Sequence, residues 1–387
     1  KQCLAARYRN DLELVASRCE QNAASKVDLL KKKRQEVETL SKGQLKSDRS
    51  GDLFLADGPA QVMRVTVLHK QLRANPELRR SWNRLLVETT PGGTTPARLE
   101  EAKRQLIKLT EEVVGEFKST GDTYYANYQF EEALKAYKEG LDYVEMKDLP
   151  TLWANMQWVM GMANQQIGIR TEGPAIQEHL TEAVNKYREA QTVYTKDEFK
   201  EAFTALQMNL GTVLSDQGRR ADGKESLRLL ALAEAAYRDA LTVYTKAQLP
   251  QDWAATASNL TEALFLSGQY AKTRNQLEDI FGYEDLDPGS KIALLYISVA
   301  NSVGVGEHKQ ALNDLEMISH ALGQQGADFF LTWDFSSIKT SISHNQVFAK
   351  HQRWLLDFLS ALEGGRRNEM LAAADKARHA FLSVSRR

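Results

Sequence analysis

The nine residues GRRADGKES, Gly218–Ser226, carry the G-x-x-x-x-G-K spacing of a loop that cradles phosphate with backbone N–H groups and a lysine. Such a loop needs Ser or Thr after the lysine to hold magnesium, and a strand before it to aim the loop at a helix N-terminus. Here Glu225 follows Lys224, a carboxylate that would repel phosphate, and the preceding MNLGTVLSDQ is helical in pattern. Fifty residues earlier stands GIRTEGPA, Gly168–Ala175, with glycines at matching places and Pro174 for the lysine. The glycines therefore read as helix ends in a repeat, not as a nucleotide site.

Other reactive residues fall short in the same way. The seven histidines, at 69, 179, 308, 320, 344, 351 and 379, form no H-E-x-x-H and no Cys/His ligand spacing, and the nearest pair, His344 and His351, has no cysteine nearby. Cys3 and Cys19 are the only cysteines; on one helix they would lie about 24 Å apart, too far to bridge. Adjacent carboxylates such as Glu111–Glu112 and Glu131–Glu132 point to different helix faces. Asn259–Leu260–Thr261 is a glycosylation sequon by letter, but it lies inside a helical pattern. The sequence thus predicts no catalytic residue, no metal and no cofactor.

Lys plus Arg (50) nearly balance Asp plus Glu (51), so no whole-molecule field draws the chain to nucleic acid. Lys31–Arg34 (KKKR) and the terminal Arg386 and Arg387 have no alternating aromatics, so no nucleic-acid partner is expected. No run of 18 apolar residues exists, so no membrane span is expected. The first residue is Lys1 and not Met, which suggests a processed protein or a piece of a longer one. The compartment stays open, with the cytoplasm slightly favoured.

What must position these residues is almost all helix: Ala, Leu, Glu, Gln, Lys and Arg abound, while Gly (23) and Pro (8) are modest. Apolar residues at Leu4, Tyr8, Leu12, Val15, Cys19, Ala23, Val27, Leu30, Val37 and Leu40 form one stripe on a long amphipathic helix over 1–47. It predicts packing on its own protein, with a coiled-coil contact to a second copy as the alternative. Residues 48–96 read as a helical linker region. SKGQLKSDRSGD (Ser41–Asp52) is its polar entrance, Ala60–Arg73 and Pro76–Val87 are its helices, and TTPGGTTP (Thr89–Pro96) is its end.

From Ala97 the chain repeats. YREAQTVYTK (Tyr187–Lys196) and YRDALTVYTK (Tyr237–Lys246) stand fifty residues apart, as do Trp153, Phe203 and Trp253. Small residues pair between a first and a second helix: Gly121 with Ala133, Gly161 with Ala183, Gly211 with Ala233, Thr261 with Thr273. A looser fifth unit has Val299 and Ala311. Small side chains at both places let antiparallel helices approach closely. Bulky Tyr137, Tyr187, Tyr237, Leu277 and Leu315 follow four residues after the second marker.

On these residues the segment from about Val114 to Gln325 resembles the tetratricopeptide repeat family, whose unit is about 34 residues. GDTYYANYQFEEALKAYKEGL (Gly121–Leu141) matches well, and SGQYAKTRNQLEDIF (Ser267–Phe281) more loosely. The first-helix marker here recurs after 40, 50, 50 and 38 residues, with ten extra residues around Ile167–Leu180 and Gln217–Leu230. The resemblance implies an all-α, right-handed superhelical solenoid of about five stacked antiparallel hairpins over 97–325. Residues 326–387 would form a C-terminal helical cap, with helices expected at Phe329–Ser343, Asn345–Leu362 and Asn368–Val384.

In such a stack the first helices line a concave groove. Counting from the markers, the groove residues are Lys118, Asp122 and Tyr125; Asn155, Trp158, Met162 and Gln165; Met208, Thr212 and Ser215; Ser258, Glu262 and Phe265; and Tyr296. Aromatic and Met-rich grooves suit protein segments. Trp158 and Met208 would be apolar anchors, and Lys118, Asn155, Gln165 and Glu262 polar selectors. The alternative is that these side chains fill the concavity from within. A chaperone-tail carboxylate clamp is not expected, because Asp122 stands where that subset of the family has Asn. The function read from the sequence is a non-catalytic protein-binding scaffold. Its alternative is an oligomerisation or spacer module, homo-oligomeric through the N-terminal helix, of a larger, bacterial-looking signalling or effector protein.

Overall fold

A computed structural model describes residues 2–50 and 96–385, with side chains described over 14–41 and 97–384. The helices expected at 60–73 and 76–87, the 89–95 part of the break and His69 lie outside the described residues, and the side chain of Cys3 lies outside the described side chains. All regular structure among the described residues is helical. The chain divides into two compact units, residues 1–163 and 164–387.

The first unit opens with α1 (Gln2–Ser50), which runs through 41–50 where the sequence predicts a linker. Two glycines and polar side chains suggested a break, yet a lone Gly43 costs an otherwise good helix only about 1 kcal/mol. Its partner is α2 (Pro96–Ala126). Ala23, Val27 and Leu30 pack on Leu109, Val113 and Phe117, while Leu40 packs on Leu99 and Ala102, so the two helices run antiparallel. Lys26 meets Glu116 at 3.0 Å and Lys33 meets Gln105 at 2.9 Å along the same seam. Over this span the apolar stripe is buried within the chain; Val15, expected in it, is exposed.

α3 (Phe130–Leu141) completes the first hairpin, with Glu131 and Glu132 in its first turn and Lys138 in its last, as the helix dipole favours. Its Gly140 admits Phe117 and Met156 so closely that a Cβ there would lie 2.9 Å from each. The following helix, α4 (Pro150–Arg170), spans the division between the units.

The second unit continues as hairpins. α5 (Ala175–Gln191) packs on the end of α4, with Leu180 against Gly168. α6 (Lys200–Arg220) pairs with α7 (Gly223–Leu241), and α8 (Pro250–Leu266) with α9 (Tyr270–Phe281). α10 (Pro288–Gly304) pairs with α11 (His308–Gly323). The ten extra residues of the fifty-residue units lengthen the helices on both sides of the turn: before it, α4 and α6 have 21 residues each against 17 in α8 and α10, and after it α5 and α7 have 17 and 19 against 12 in α3 and α9.

The C-terminal helices are α12 (Ser336–His344), a 3-10 turn at Gln346–Phe348, α13 (Gln352–Gly364) and α14 (Arg367–Ser385). The sequence placed a helix from Phe329, but 329–335 is not helical; α12 starts where the Asp334 carboxylate accepts the Ser336 N–H at 2.9 Å. These helices do more than shield a last face. Phe335, Ile338, Phe348, Leu355 and Phe358 are fully or almost fully buried in one core with α8 and α10.

Candidate functional site

The fifty-spaced tyrosines hold the site together. The first and third rings fill the space left by a small first-helix residue: a Cβ added at Gly121 would stand 2.3 Å from the Tyr137 ring, and one at Gly211 would stand 2.7 Å from that of Tyr237. Each hydroxyl then reaches a residue assigned to the groove. Tyr137 donates to Asp122 Oδ1 at 2.8 Å, Tyr187 to Gln165 Oε1 at 3.0 Å, and Tyr237 lies 3.4 Å from Thr212 Oγ1. Asp122 and Thr212 directly follow their markers. Met162, at the same place in the second hairpin, has no oxygen to offer, and Tyr187 bonds one turn further on. Burial raises the phenol pKa of Tyr137 and of Tyr237, so both stay protonated donors; the Asp122 charge adds to it for Tyr137.

Within residues 1–163, α2 carries Lys118, Asp122 and Tyr125, and α4 carries Asn155, Trp158 and Met162. Asp122 is exposed and the other five are half-buried. Lys118 Nζ lies 2.6 Å from Asp122 Oδ2, so the carboxylate is held from two sides and the pair is neutral overall. Tyr125 meets Phe130 edge-on at 5.1 Å. This face combines an aromatic pair, a thioether and a few oriented polar groups.

Within residues 164–387 the assigned row lies differently. Gln165, Ser215, Ser258, Glu262, Phe265 and Tyr296 are buried, which corrects their assignment to an open groove. At the last three of these the C-terminal helices take that space: Ser337 Oγ donates to Glu262 Oε1 at 2.8 Å, the Tyr296 hydroxyl donates to the Leu355 carbonyl at 2.8 Å, and the Phe348 ring lies 6.0 Å from that of Phe265. The sequence raised filling from within as the alternative; at Glu262, Phe265 and Tyr296 the filler comes from the chain's far end. Met208 is half-buried against this core, and Thr212 is half-buried.

Charge sits beneath that cover. Arg219 reaches Asp216 at 3.4 Å and Glu262 at 3.3 Å, and Gln165 donates to Asp216 at 3.3 Å. Burial pushes the Asp216 carboxyl up, against the opposing pull of Arg219, Gln165 and Arg220. Burial works against the Arg219 charge, but Glu262 and Asp216 outweigh it. Asp216 and Arg219 were missed from sequence. The signal was the repeat itself: the equivalent places hold Gln166 and Ile169 one unit earlier and Leu266 and Gln269 one unit later, so only the middle copy is charged at both.

GRRADGKES spans the end of α6, a turn and the start of α7, and no strand precedes it. Gly223 turns the chain at φ +56°, and Ser226 Oγ donates to the Gly218 carbonyl at 2.7 Å. Among the described residues no group of three or more His, Cys, Asp or Glu is placed to hold a metal ion. His344 and His351 do not meet; instead His351 lies 6.1 Å from His308, both against Phe381. No described helix is long and apolar enough to cross a membrane.

The chain is therefore an all-α protein of stacked helical hairpins. No protein-family model matches it, and no curated protein does. A structure search returns the crystal structure of a Rap protein complexed with competence and sporulation factor, 14% identical, covering 95% of this chain and 90% of that one with a TM-score of 0.35. That is a loose likeness, from which nothing about this chain follows.

Proposed function

We propose that this chain is a non-catalytic scaffold that binds a segment of another protein on the first-helix face of residues 1–163. Trp158 and Met162 are the apolar anchors, and Lys118, Asp122, Tyr125 and Asn155 the polar and aromatic selectors. One observation carries the reading. Glu262, Phe265 and Tyr296 at the far end of the row are covered by the chain's own C-terminal helices, whereas these six keep exposure, with Asp122 held by both Tyr137 and Lys118. Half-exposed Trp, Tyr and Met on rigid helices supply contact area at little ordering cost, which is how interface anchors work. Self-association through α1 has less to draw on, because Ala23, Val27, Leu30 and Leu40 already face α2.

Trp158→Ala tests the proposal by affinity capture from the source cells, with helix content checked by circular dichroism and Tyr296→Phe as a variant outside the face. Loss of the partners captured by the unsubstituted chain and by Tyr296→Phe is expected; equal recovery by Trp158→Ala would sink it.

A further inference from the structure

Five hairpins need five tight turns, and four of them use glycine where the chain enters the left-handed region: Gly173 at φ +75°, Gly223 at +56°, Gly268 at +72° and Gly306 at +77°. In the first hairpin that place holds Tyr128 at φ +62°, the one non-glycine residue with positive φ among those described. A side chain there crowds its Cβ against the backbone, and for a bulky residue the conformation is rare. The turn fixes the backbone regardless of residue type: Tyr128 N–H donates to the Tyr125 carbonyl at 3.0 Å, and Gln129 N–H to that of Tyr124 at 2.9 Å. Glycine would satisfy the fold better. Nor does the side chain repay the strain by burial, since Tyr128 is 76% exposed.

What the ring does is extend an aromatic row. Tyr128 meets Phe130 edge-on at 6.1 Å, and Phe130 meets Tyr125 of the partner face at 5.1 Å. Immediately after Phe130 come Glu131 and Glu132, both exposed and neither in an ion pair among the described residues. An exposed phenol ring in a turn that is followed at once by two exposed carboxylates suits a cationic side chain laid over the ring.

We propose that Tyr128 is a recognition residue for a partner segment bearing Lys or Arg, with its ring as the platform and Glu131 and Glu132 as the countercharge. This rests on the partner face proposed above and adds the chemistry that face selects. The outlier supports it: a residue that strains the turn and buries nothing is there for its side chain.

The test uses the full chain with two labelled peptides, one alternating Arg and Gly and one alternating Glu and Gly, read by fluorescence anisotropy, together with thermal unfolding. Tyr128→Gly should raise Tm by about 2 °C while weakening the Arg peptide about two- to fivefold. Tyr128→Asn, which tolerates the left-handed region, should weaken it as much, and Tyr128→Phe should bind like the unsubstituted chain. Equal Arg-peptide binding by Tyr128→Gly, a lower Tm for it, or equal binding of the Glu peptide would each overturn the inference. Trp158→Ala separates the two proposals. If it leaves partner capture intact while Tyr128→Gly weakens the Arg peptide, the groove reading fails and the Tyr128 platform stands; the reverse pattern removes only the platform.

Discussion

At the scale of single residues, the repeat works through contacts between a glycine and a tyrosine. Gly121→Ala would push a methyl group into the Tyr137 ring at 2.3 Å, and the ring cannot retreat without giving up its bond to Asp122. Overpacking of this kind costs about 1–3 kcal/mol, measurable as a lower urea midpoint at unchanged slope. These pairs were legible in the sequence because small and bulky residues recur at fixed spacing. The tyrosine hydroxyls were not, since spacing alone says which face a ring fills and nothing about where its hydroxyl ends. Tyr128 was also missed. A left-handed residue is visible from sequence only when it is glycine, and here the tyrosine sits among other aromatics that look like core.

Between elements, charge decides more than the sequence suggested. Arg219→Met would leave Asp216 and Glu262 facing each other under the C-terminal helices without their shared cation. Breaking such a cluster from one side costs roughly 3–5 kcal/mol, and the check is chemical denaturation followed at residues of 164–387. A second element contact is sensitive to pH. His351 is buried, its Nδ1 accepts the Trp354 indole N–H at 3.1 Å, and His308 and Phe381 lie beside it. Burial first, then the positive charges of His308 and Lys350, hold its pKa below the usual imidazole range of about 6.5. The unfolded chain then binds the proton more readily than the folded one, so stability is full above pH about 6.5 and falls as the pH drops below it. Acidification should loosen α13 and α14, seen as a change in Trp354 fluorescence, and His351→Gln should flatten that dependence. None of this could be read from spacing, because His308 and His351 are 43 positions apart and only the fold joins them.

For the molecule as a whole, stacked hairpins pass a disturbance mainly to their neighbours. Gly121→Ala should therefore raise amide exchange in α2, α3 and the start of α4 and leave α12 to α14 as protected as before. Equal loss of protection along the whole chain would mean that the stack unfolds as one body. The helical class and the hairpin order were readable because they are local: propensity and a 3.6-residue period act over a few turns. The cover over Glu262, Phe265 and Tyr296 was not, because it is made by residues 59 to 83 positions further along. Those helices have ordinary amphipathic sequences, and nothing local tells which face of the stack they choose.

The burial of α10 also has a consequence in time. Every residue from Ile292 to Val303 is buried, so this helix has no side meant for water. Part of its cover, from Phe335 to Leu362, is made later than the helix itself. At about 5–20 residues per second, a ribosome needs roughly 3–12 s to synthesise the chain from Val305, just past the helix, to Leu362. During those seconds a bare apolar helix waits for the far end of its own chain. The newborn protein is most at risk of sticking to another copy then, and a chaperone that shields this one segment would do the most good.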